Sequence, residues 1–447
     1  MLRGKTFGAI LKAMNDVISA ISTAAGTGGV AIIRLSGAGS LAIAEKMFAP
    51  AGKIKDFQPN VMYAGNIDGG DFTDFGMCVY FRAPKSFTGE DVVEFHCHGG
   101  VRIARGILSR TISLGARAAE KGEYTKRAFI NGKLSLSSAE GMIDMINAES
   151  LASLRAGSML YGEKLTAEIK ELQSALTDIL AEIAADSDYP EEDLDGLNAE
   201  KIHASIEEAA KKLKKLSSTY ACGKKIKDGV TVAICGKPNT GKSSLLNALL
   251  GYDKAIVSDE AGTTRDAVEG DLQINGVKYN LVDTAGIRER AGMVESIGID
   301  RAKKIITSAD VVVSVTDGNG EAVPDGVTGS IIRVFNKCDL SSPEGEFDAV
   351  VSAKTGAGLE ELKGLIAEKT VGELTLDKAY IIEERHYSAL LRAEQSLNSA
   401  IENVGIFTPD ILAIDIKDAW DSLGEITGET ANEQIINTVF EKFCVGK

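Results

Sequence analysis

The stretch VTVAICGKPNTGKSSLLNALLG, residues 230–251, decides how the middle of this chain folds. An apolar run of strand length ends at a glycine, a short polar loop follows, and Leu and Ala then recur at helical spacing. In that strand–loop–helix setting the G-x-x-x-x-G-K-S pattern of Gly236–Ser243 carries a mechanism. Gly236 and Gly241 let backbone N–H groups turn toward phosphate oxygens, Lys242 supplies a cation, and Ser243 offers a hydroxyl to Mg²⁺. Asn239, Thr240, Gly241 and Ser244 complete the loop around a nucleotide's phosphates.

Working outward, VKYNLVDTAG (277–286), DVVVSVTDG (310–318) and IIRVFNKCD (331–339) read as further apolar strands, each ending at a polar or glycine-bearing loop. That is the pattern of a parallel sheet with its functional loops at the strands' C-terminal ends. DTAG (Asp283, Thr284, Ala285, Gly286) places a carboxylate near the metal and a glycine amide near a γ-phosphate. NKCD supplies Asn336, Lys337 and Asp339, and a carboxylate at the last position accepts from the guanine N1–H and 2-amino group together, a pair adenine does not offer. Ser352, Ala353 and Lys354 would close over the base. In this order the set specifies a GTPase with a Ras-like P-loop G domain. The residue after Gly286 is Ile287, which cannot orient a water as a glutamine there would. Two replacements are open: Asn239, whose side-chain oxygen can help hold a monovalent cation, and an acid such as Glu295. Their plain alternatives are loop filler and a solvated helix charge.

The flanks differ. Residues 16 to about 120 read as mixed α/β, with strands at VAIIRLSG, 77–81 and 92–96 and a helix at LAIAEKMF. From 123 to 222 the chain is rich in Ala, Leu, Glu and Lys with apolar residues at helical intervals, and helical character returns after about 375. The expectation is a multidomain α+β and α/β protein: an N-terminal domain at 1–122, a helical domain at 123–222, a G domain at 223–374, and the helical domain's second part at 375–447. Either the G domain is inserted into one helical domain, or two helical domains stand independently. The acidic run DSDYPEEDLDG (186–196) reads as a solvated loop.

A net charge of -15 over 447 residues excludes a surface coated for non-specific nucleic-acid binding, though a local basic patch stays open. Six cysteines without a CxxC pair suit a reducing compartment, and no run of eighteen apolar residues is present, so a cytoplasmic location with no membrane span is expected. The first thirteen residues lack the pattern of a signal peptide, and Met14 is a candidate start. His96 and His98 share a strand face, but with two other histidines in the chain and no cysteine cluster a metal site is not expected. Cys444, four residues from the end, is open to three readings: a lipidation site, which the ending Gly446-Lys447 argues against, a frayed tail, or a thiol delivered to chemistry elsewhere.

GKPNTGKSSLLN, AGTTRD (261–266), DTAGIRE, VESIGI, NKCD and SAK resemble the G domain of the tRNA-modification GTPase family called MnmE or TrmE. The resemblance continues outside it, in GGVAIIRLSG (28–37), FTGEDVVEFHCHGG (87–100), KRAFINGKLSLSSAEGMIDMI (126–146), YPEED (189–193) and the terminal CVGK, so it covers essentially the whole chain from Met14. It implies an N-terminal folate-binding and dimerisation domain and a helical domain with the G domain inserted. It further implies a homodimer working with an FAD-binding MnmG/GidA-type partner, as a heterotetramer, to modify C5 of the wobble uridine of certain tRNAs. A tetrahydrofolate derivative, 5-formyl- or 5,10-methylene-, would supply the one-carbon unit, installing an aminomethyl-type group such as carboxymethylaminomethyl.

By the same resemblance, Asn239 is a K⁺ ligand together with Ser258, Glu260 and Thr263, while Ser243 and Thr264 bind Mg²⁺. K⁺ then offsets developing charge as an arginine finger does elsewhere. Glu295 activates water through a second water, and Arg265, Asp266 and Arg288 couple the GTP state to modification. Arg34, Glu94, Lys133 and Lys447 fall on folate-binding positions, a carboxylate suiting a pterin edge and cations a glutamate tail. Thr27 stands where the family's Pro-Gly-Arg-Gly-Gly loop has arginine, so that contact is absent here. With Lys447 a folate contact, Cys444 would be brought toward the pocket as nucleophile, proton donor or packing. Two other functions compete with this one. A ribosome-assembly switch usually carries a second G domain or an RNA-binding G-x-x-G loop, and neither accompanies the single phosphate loop; a folate-dependent methyltransferase would act without the flavin partner.

Overall fold

The computed structural model describes residues 16–188, 199–251, 270–283, 303–318, 326–371 and 380–447. The chain divides into two compact units. One comprises Met1–Ile143, Leu160–Ser174 and Trp420–Lys447; the other comprises Asp144–Met159 and Ala175–Ala419.

In the first unit, strands β1 (Ile18–Ile21), β2 (Val30–Ser36), β3 (Phe48–Pro50), β4 (Met62–Asp68), β5 (Thr73–Phe81), β6 (Val92–His98) and β7 (Arg117–Ala118) form a sheet in the order β3-β4-β5-β6-β2-β1-β7. Every pairing is antiparallel except β1 with β7. The alternation of VAIIRLS explains why the two faces differ. Ala31, Ile33 and Leu35 turn into a core with Phe95, Cys97 and residues of helices α1 (Ser40–Met47) and α2 (Val101–Ser113). Val30, Ile32 and Arg34 therefore lie on the opposite face, in register with His98, His96 and Glu94. Helices α3 (Glu123–Ile130) and α4 (Leu136–Ile146) follow; α5 (Leu151–Tyr161), most of which belongs to the second unit, and the long α6 (Lys164–Asp188), which belongs to the first unit as far as Ser174, come next. Along α6 the apolar Leu165, Ile169, Leu172, Leu176, Ile179 and Ile183 recur every three or four residues and are all buried, a helix stabilised by its stripe.

The second unit contains α7 (Ala199–Ser217) and α8 (Tyr220–Asp228), which leads directly into β8 (Val230–Gly236) and α9 (Lys242–Gly251). Strands β9 (Gly270–Ile274), β10 (Val277–Asp283), β11 (Val311–Thr316), β12 (Ser330–Phe335) and β13 (Ala349–Val350) complete a sheet ordered β13-β12-β11-β8-β10-β9. All its pairings are parallel except β10 with β9. All of β11, VVVSVT, is buried, and so is nearly all of β8, as expected for central strands covered on both faces. Helices α10 (Leu359–Thr370), α11 (Glu384–Asn403) and α12 (Pro409–Thr427) follow, α12 belonging to the first unit from Trp420 on; α13 (Glu433–Glu441), also of the first unit, is capped by Asn432, whose side chain accepts from Ile435 N at 2.9 Å.

The strand expected at 77–81 starts earlier, at Thr73, and β9, not expected from sequence, forms a hairpin with β10 across Asn275 and Gly276, both at positive φ. Among the described residues no helix is long and apolar enough to cross a membrane.

Candidate functional site

The phosphate loop sits where β8 ends between β10 and β11. Gly236 has φ 151° and Gly241 φ 90°. A Cβ on Gly236 would come within 2.2 Å of Val315 O, and one on Gly241 within 2.4 Å of Asn336 Nδ2, so backbone and neighbour leave room for hydrogen alone. Asn239 takes φ 65°, a left-handed conformation that asparagine tolerates better than most residues. Lys242 is buried, and its Nζ donates to Lys237 O at 2.7 Å, holding the ammonium across the loop. Thr240 Oγ1 donates to the same carbonyl at 3.0 Å.

Ser243 Oγ donates to Asp283 Oδ2 at 2.6 Å, with Asp283 buried at the end of β10. A hydroxyl and a carboxylate side by side at the phosphate loop are hard oxygen ligands suited to a Mg²⁺ that takes its remaining ligands from phosphates and water. Among the described residues no group of three or more His, Cys, Asp or Glu forms a protein-only metal cage.

The base end is tied to the phosphate end by side chains. Asn336 Nδ2 donates to Thr240 O at 3.0 Å, and its Oδ1 accepts from Ala353 N at 3.1 Å, so one buried asparagine links phosphate loop, NKCD and SAK. Lys337 donates to Asn239 O at 2.8 Å and Asp317 Oδ2 at 2.6 Å. Ser352 Oγ donates to Asp339 Oδ1 at 2.7 Å, orienting the carboxylate that would read guanine. The structure thus brings together Asn239, Thr240, Gly241, Lys242, Ser243, Asp283, Asn336, Lys337, Asp339, Ser352 and Ala353. Ser244 follows on α9 and Lys354 follows Ala353. Asp317 is not singled out by the sequence, where it reads only as part of a polar loop at a strand end. Ser258, Glu260, Thr263, Thr264, Arg265, Asp266, Thr284, Ala285, Gly286, Ile287, Arg288 and Glu295 lie outside the described residues.

In the first unit, the expected folate residues fall into parts. Arg34 Nε donates to Glu94 Oε1 at 2.8 Å, and His96 Nε2 lies 3.2 Å from Glu94 Oε2. Burial works to raise the Glu94 carboxyl, but His96 and Arg34 outweigh it and hold it below the ordinary range. The guanidinium is 6.0 Å from the Phe87 ring centroid and 5.8 Å from that of Tyr124, whose hydroxyl donates to Arg34 O at 2.6 Å. Lys133 Nζ donates to Pro84 O at 3.0 Å, on the segment that carries Phe87. His96, weighed from sequence only as a metal ligand, is here a partner of Glu94.

The C-terminal tail is docked. Val445 bridges Lys121, Cys444 O accepts from Gly122 N at 3.4 Å, and Gly446, at φ 97°, is so close to β1 that a Cβ would lie 2.3 Å from Ile21 O. Cys444 is exposed and lines a cleft of about 850 Å³ with Thr27, Gly28, Gly99, Gly100 and Arg105. Arg34, Glu94, Lys133 and Lys447 do not line that cleft. A frayed tail is excluded. Cys78, Cys97 and Cys235 are buried, which pushes their thiols up to about 12, 11 and 11.

A phosphate loop on the central strand of a parallel sheet, with an aspartate-bearing strand end beside it and a guanine-reading pair joined to it, defines a P-loop GTPase. Profiles of two families match: the MnmE helical domain over residues 136–444 and the GTP-binding protein TrmE N-terminus over 17–133. The tRNA modification GTPase MnmE of Thermoanaerobacter pseudethanolicus is 38% identical over 457 residues, covering 97% of this chain and 99% of that protein. The protein of the same name from Aquifex aeolicus is 40% identical over 452 residues, covering 97% and 100%. The G domain of the T. maritima FeoB iron transporter is 28% identical and covers 31% of this chain and 98% of its own, with a TM-score of 0.23. The chain belongs to the MnmE family of tRNA modification GTPases.

Proposed function

We propose that this chain hydrolyses GTP in a K⁺-dependent manner and, with a flavin-containing partner, installs an aminomethyl-type group at C5 of the tRNA wobble uridine, using a tetrahydrofolate one-carbon unit. The observation that carries the reading is the hydrogen-bonded chain from Lys242 through Thr240 and Asn336 to Ala353, which joins phosphate loop to guanine reader. Lys242 and the loop amides hold the β- and γ-phosphates, Ser243 and Asp283 hold Mg²⁺, and Asp339 selects guanine. With Ile287 in the water-orienting position, Asn239 holds K⁺ together with Ser258, Glu260 and Thr263, Thr264 joins the Mg²⁺ shell, and Glu295 orients the water through a second one. K⁺ in that place supplies positive charge where the transition state gains negative charge. Arg265, Asp266 and Arg288 pass the nucleotide state to the modification step.

Glu94, held ionised beside Arg34, suits the donor edge of a pterin, and Lys133 and Lys447 suit the glutamate tail. The bound folate supplies the one-carbon unit. The open face of the first sheet supports a homodimer: Val30, Met62, Phe75 and Met77 are 59, 49, 58 and 45% exposed and share that face with Arg34 and Glu94. Contact with tRNA is supported by residues 211–224, where five exposed lysines occur without an acid in an otherwise acidic chain. Six free cysteines support a cytoplasmic setting. For the domains the proposal is the division 1–122, 123–222, 223–374 and 375–447.

Mass spectrometry of nucleosides from tRNA of cells lacking this protein, rescued with wild type or Cys444→Ser, tests the reading. Restoration of a C5-modified wobble uridine by wild type alone is the result expected if the thiol acts in the chemistry. Restoration by both makes Cys444 packing, and restoration by neither overturns the proposal.

A further inference from the structure

Three charged side chains meet, mostly buried, where the chain enters and leaves the second unit's sheet. Lys227 lies in the last turn of α8, three residues before β8 begins. Glu383 is the cap residue of α11, reached after the chain leaves that sheet. Asp144 comes from α4. Lys227 Nζ lies 2.8 Å from Asp144 Oδ1 and also pairs with Glu383. The side chains of Asp144, Glu383 and Lys227 are 10, 9 and 28% exposed, and Asp144 Oδ2 is buried with no hydrogen-bond partner. Around them entry and exit are already in contact: Ile381 N donates to Thr219 Oγ1 at 3.0 Å, and a Cβ on Gly223 would lie 2.1 Å from Ile381 O.

One lysine between two carboxylates leaves an uncompensated negative charge whenever both acids are ionised, and a buried unpaired charge is costly. The charged groups facing Asp144 are Lys227 from α8 and Glu383. From α5 the neighbour is Gly157, whose Cβ position lies 3.2 Å from Asp144 Cβ, while Arg155 of that helix is exposed. Lys224, Asp228 and Glu384 gather at the edge, about Tyr220. Nothing in GTP hydrolysis calls for this arrangement.

We propose that Asp144, Lys227 and Glu383 form a proton-controlled latch clamping the entry and exit segments of the nucleotide-binding sheet, closed when Asp144 carries a proton and loosened when it does not. The proton comes from solvent and is held by the hydrogen bond between the Asp144 carboxyl and the Glu383 carboxylate, and its loss restores the excess charge. Burial, with the Glu383 carboxylate beside it, pushes Asp144 up to about 7 against the pull of Lys227. A carboxyl that holds its proton more tightly in the closed form than when solvated makes opening easier as pH rises. The rise runs from the ordinary carboxylate range toward 7 and levels off above it. The latch's bearing on turnover rests on the GTPase reading, but its test needs no substrate or partner.

Hydrogen exchange on the full chain tests it. After removal of the intrinsic rate, exchange at the amides of Ile381, Gly229 and Tyr387 is expected to quicken about tenfold or more between pH 5.5 and 7.5. In Asp144→Asn, which keeps the shape without the charge, it is expected to stay flat. In Glu383→Gln the rise should shrink and move to lower pH, and this variant reads the latch independently if the first does not fold. A flat wild type, or a wild-type rise retained in Asp144→Asn, overturns the proposal.

Discussion

The phosphate loop and the Arg34–Glu94 site are built by opposite rules. The first is made by backbone: residues 236–243 are contiguous, two are glycines in space no Cβ can enter, and the side chains added to it come from adjoining strand ends. The second is a pair of side chains, Arg34 of β2 and Glu94 of β6, joined because β2 pairs with β6 in one register. A site that recognises phosphate by N–H groups can be spelled in one stretch; one that recognises a heterocycle by paired charges must wait for the sheet.

The two sites are expected to separate most at Lys242. Lys242→Ala is expected to lower GTP turnover about 10²-fold or more, because a preorganised charge at the transferred phosphoryl group is lost. Folate binding, measured by titration on the same variant, should not change. A comparable loss in both would mean that the two sites are not separable. Replacing K⁺ by Na⁺ should cost at least about tenfold in turnover, given that an arginine finger in that role is worth about 10³–10⁵. Equal rates in the two salts would remove Asn239 from the mechanism.

The tail offers the reverse experiment. Gly446→Ala puts a methyl group 2.3 Å from Ile21 O at a φ of 97°, so the tail must leave β1 or strain it. Folate affinity is expected to fall about tenfold, for about 1.4 kcal/mol of lost contact, while GTP turnover at saturating nucleotide stays at the wild-type rate. Loss of turnover as well would assign the tail a purely structural role.

The two sites also differ in how much of them can be read beforehand. The four main strands of the second sheet, the loop and its readers are visible as apolar runs that end at polar signatures, because central parallel strands are apolar on both faces. Strand β9 was not visible: GDLQI alternates weakly and is recognisable only through its hairpin with β10. In the first unit Arg34, Glu94 and Lys133 were named only through family resemblance, since nothing local tells a strand arginine from a surface one. The roles of His96 beside Glu94 and of Asp317 beneath Lys337 were invisible for the same reason: each depends on a contact between separate elements. Spacing put Cys444 close to Lys447, yet the structure shows it lining a cleft that does not include Arg34 or Glu94.

The smallest expected effect is a dependence on pH. Glu94 lies below its ordinary value because His96 and Arg34 favour its ionised form over the opposing effect of burial, so its pairing stabilises the fold above the ordinary carboxylate range near 4.5. That contribution is lost as pH falls through the depressed value, when the folded carboxyl takes up a proton. Asp144 has the opposite sign, its raised value costing stability as pH climbs from the carboxylate range toward 7. In Arg34→Met, Glu94 keeps only His96, and stability at pH 7 should fall by about 1–2 kcal/mol, the worth of a partly buried hydrogen bond to a charged group. The penalty should shrink below pH 4 as wild type loses the same interaction, and the gain of Asp144→Asn should grow from the ordinary carboxylate range toward pH 7 and level off above it. Denaturant titrations at pH 3.5, 5.5 and 7.5 separate the two variants. An Arg34→Met penalty that does not change with pH would mean that Arg34 stabilises through its contacts with Phe87 and Tyr124 and not through the carboxylate.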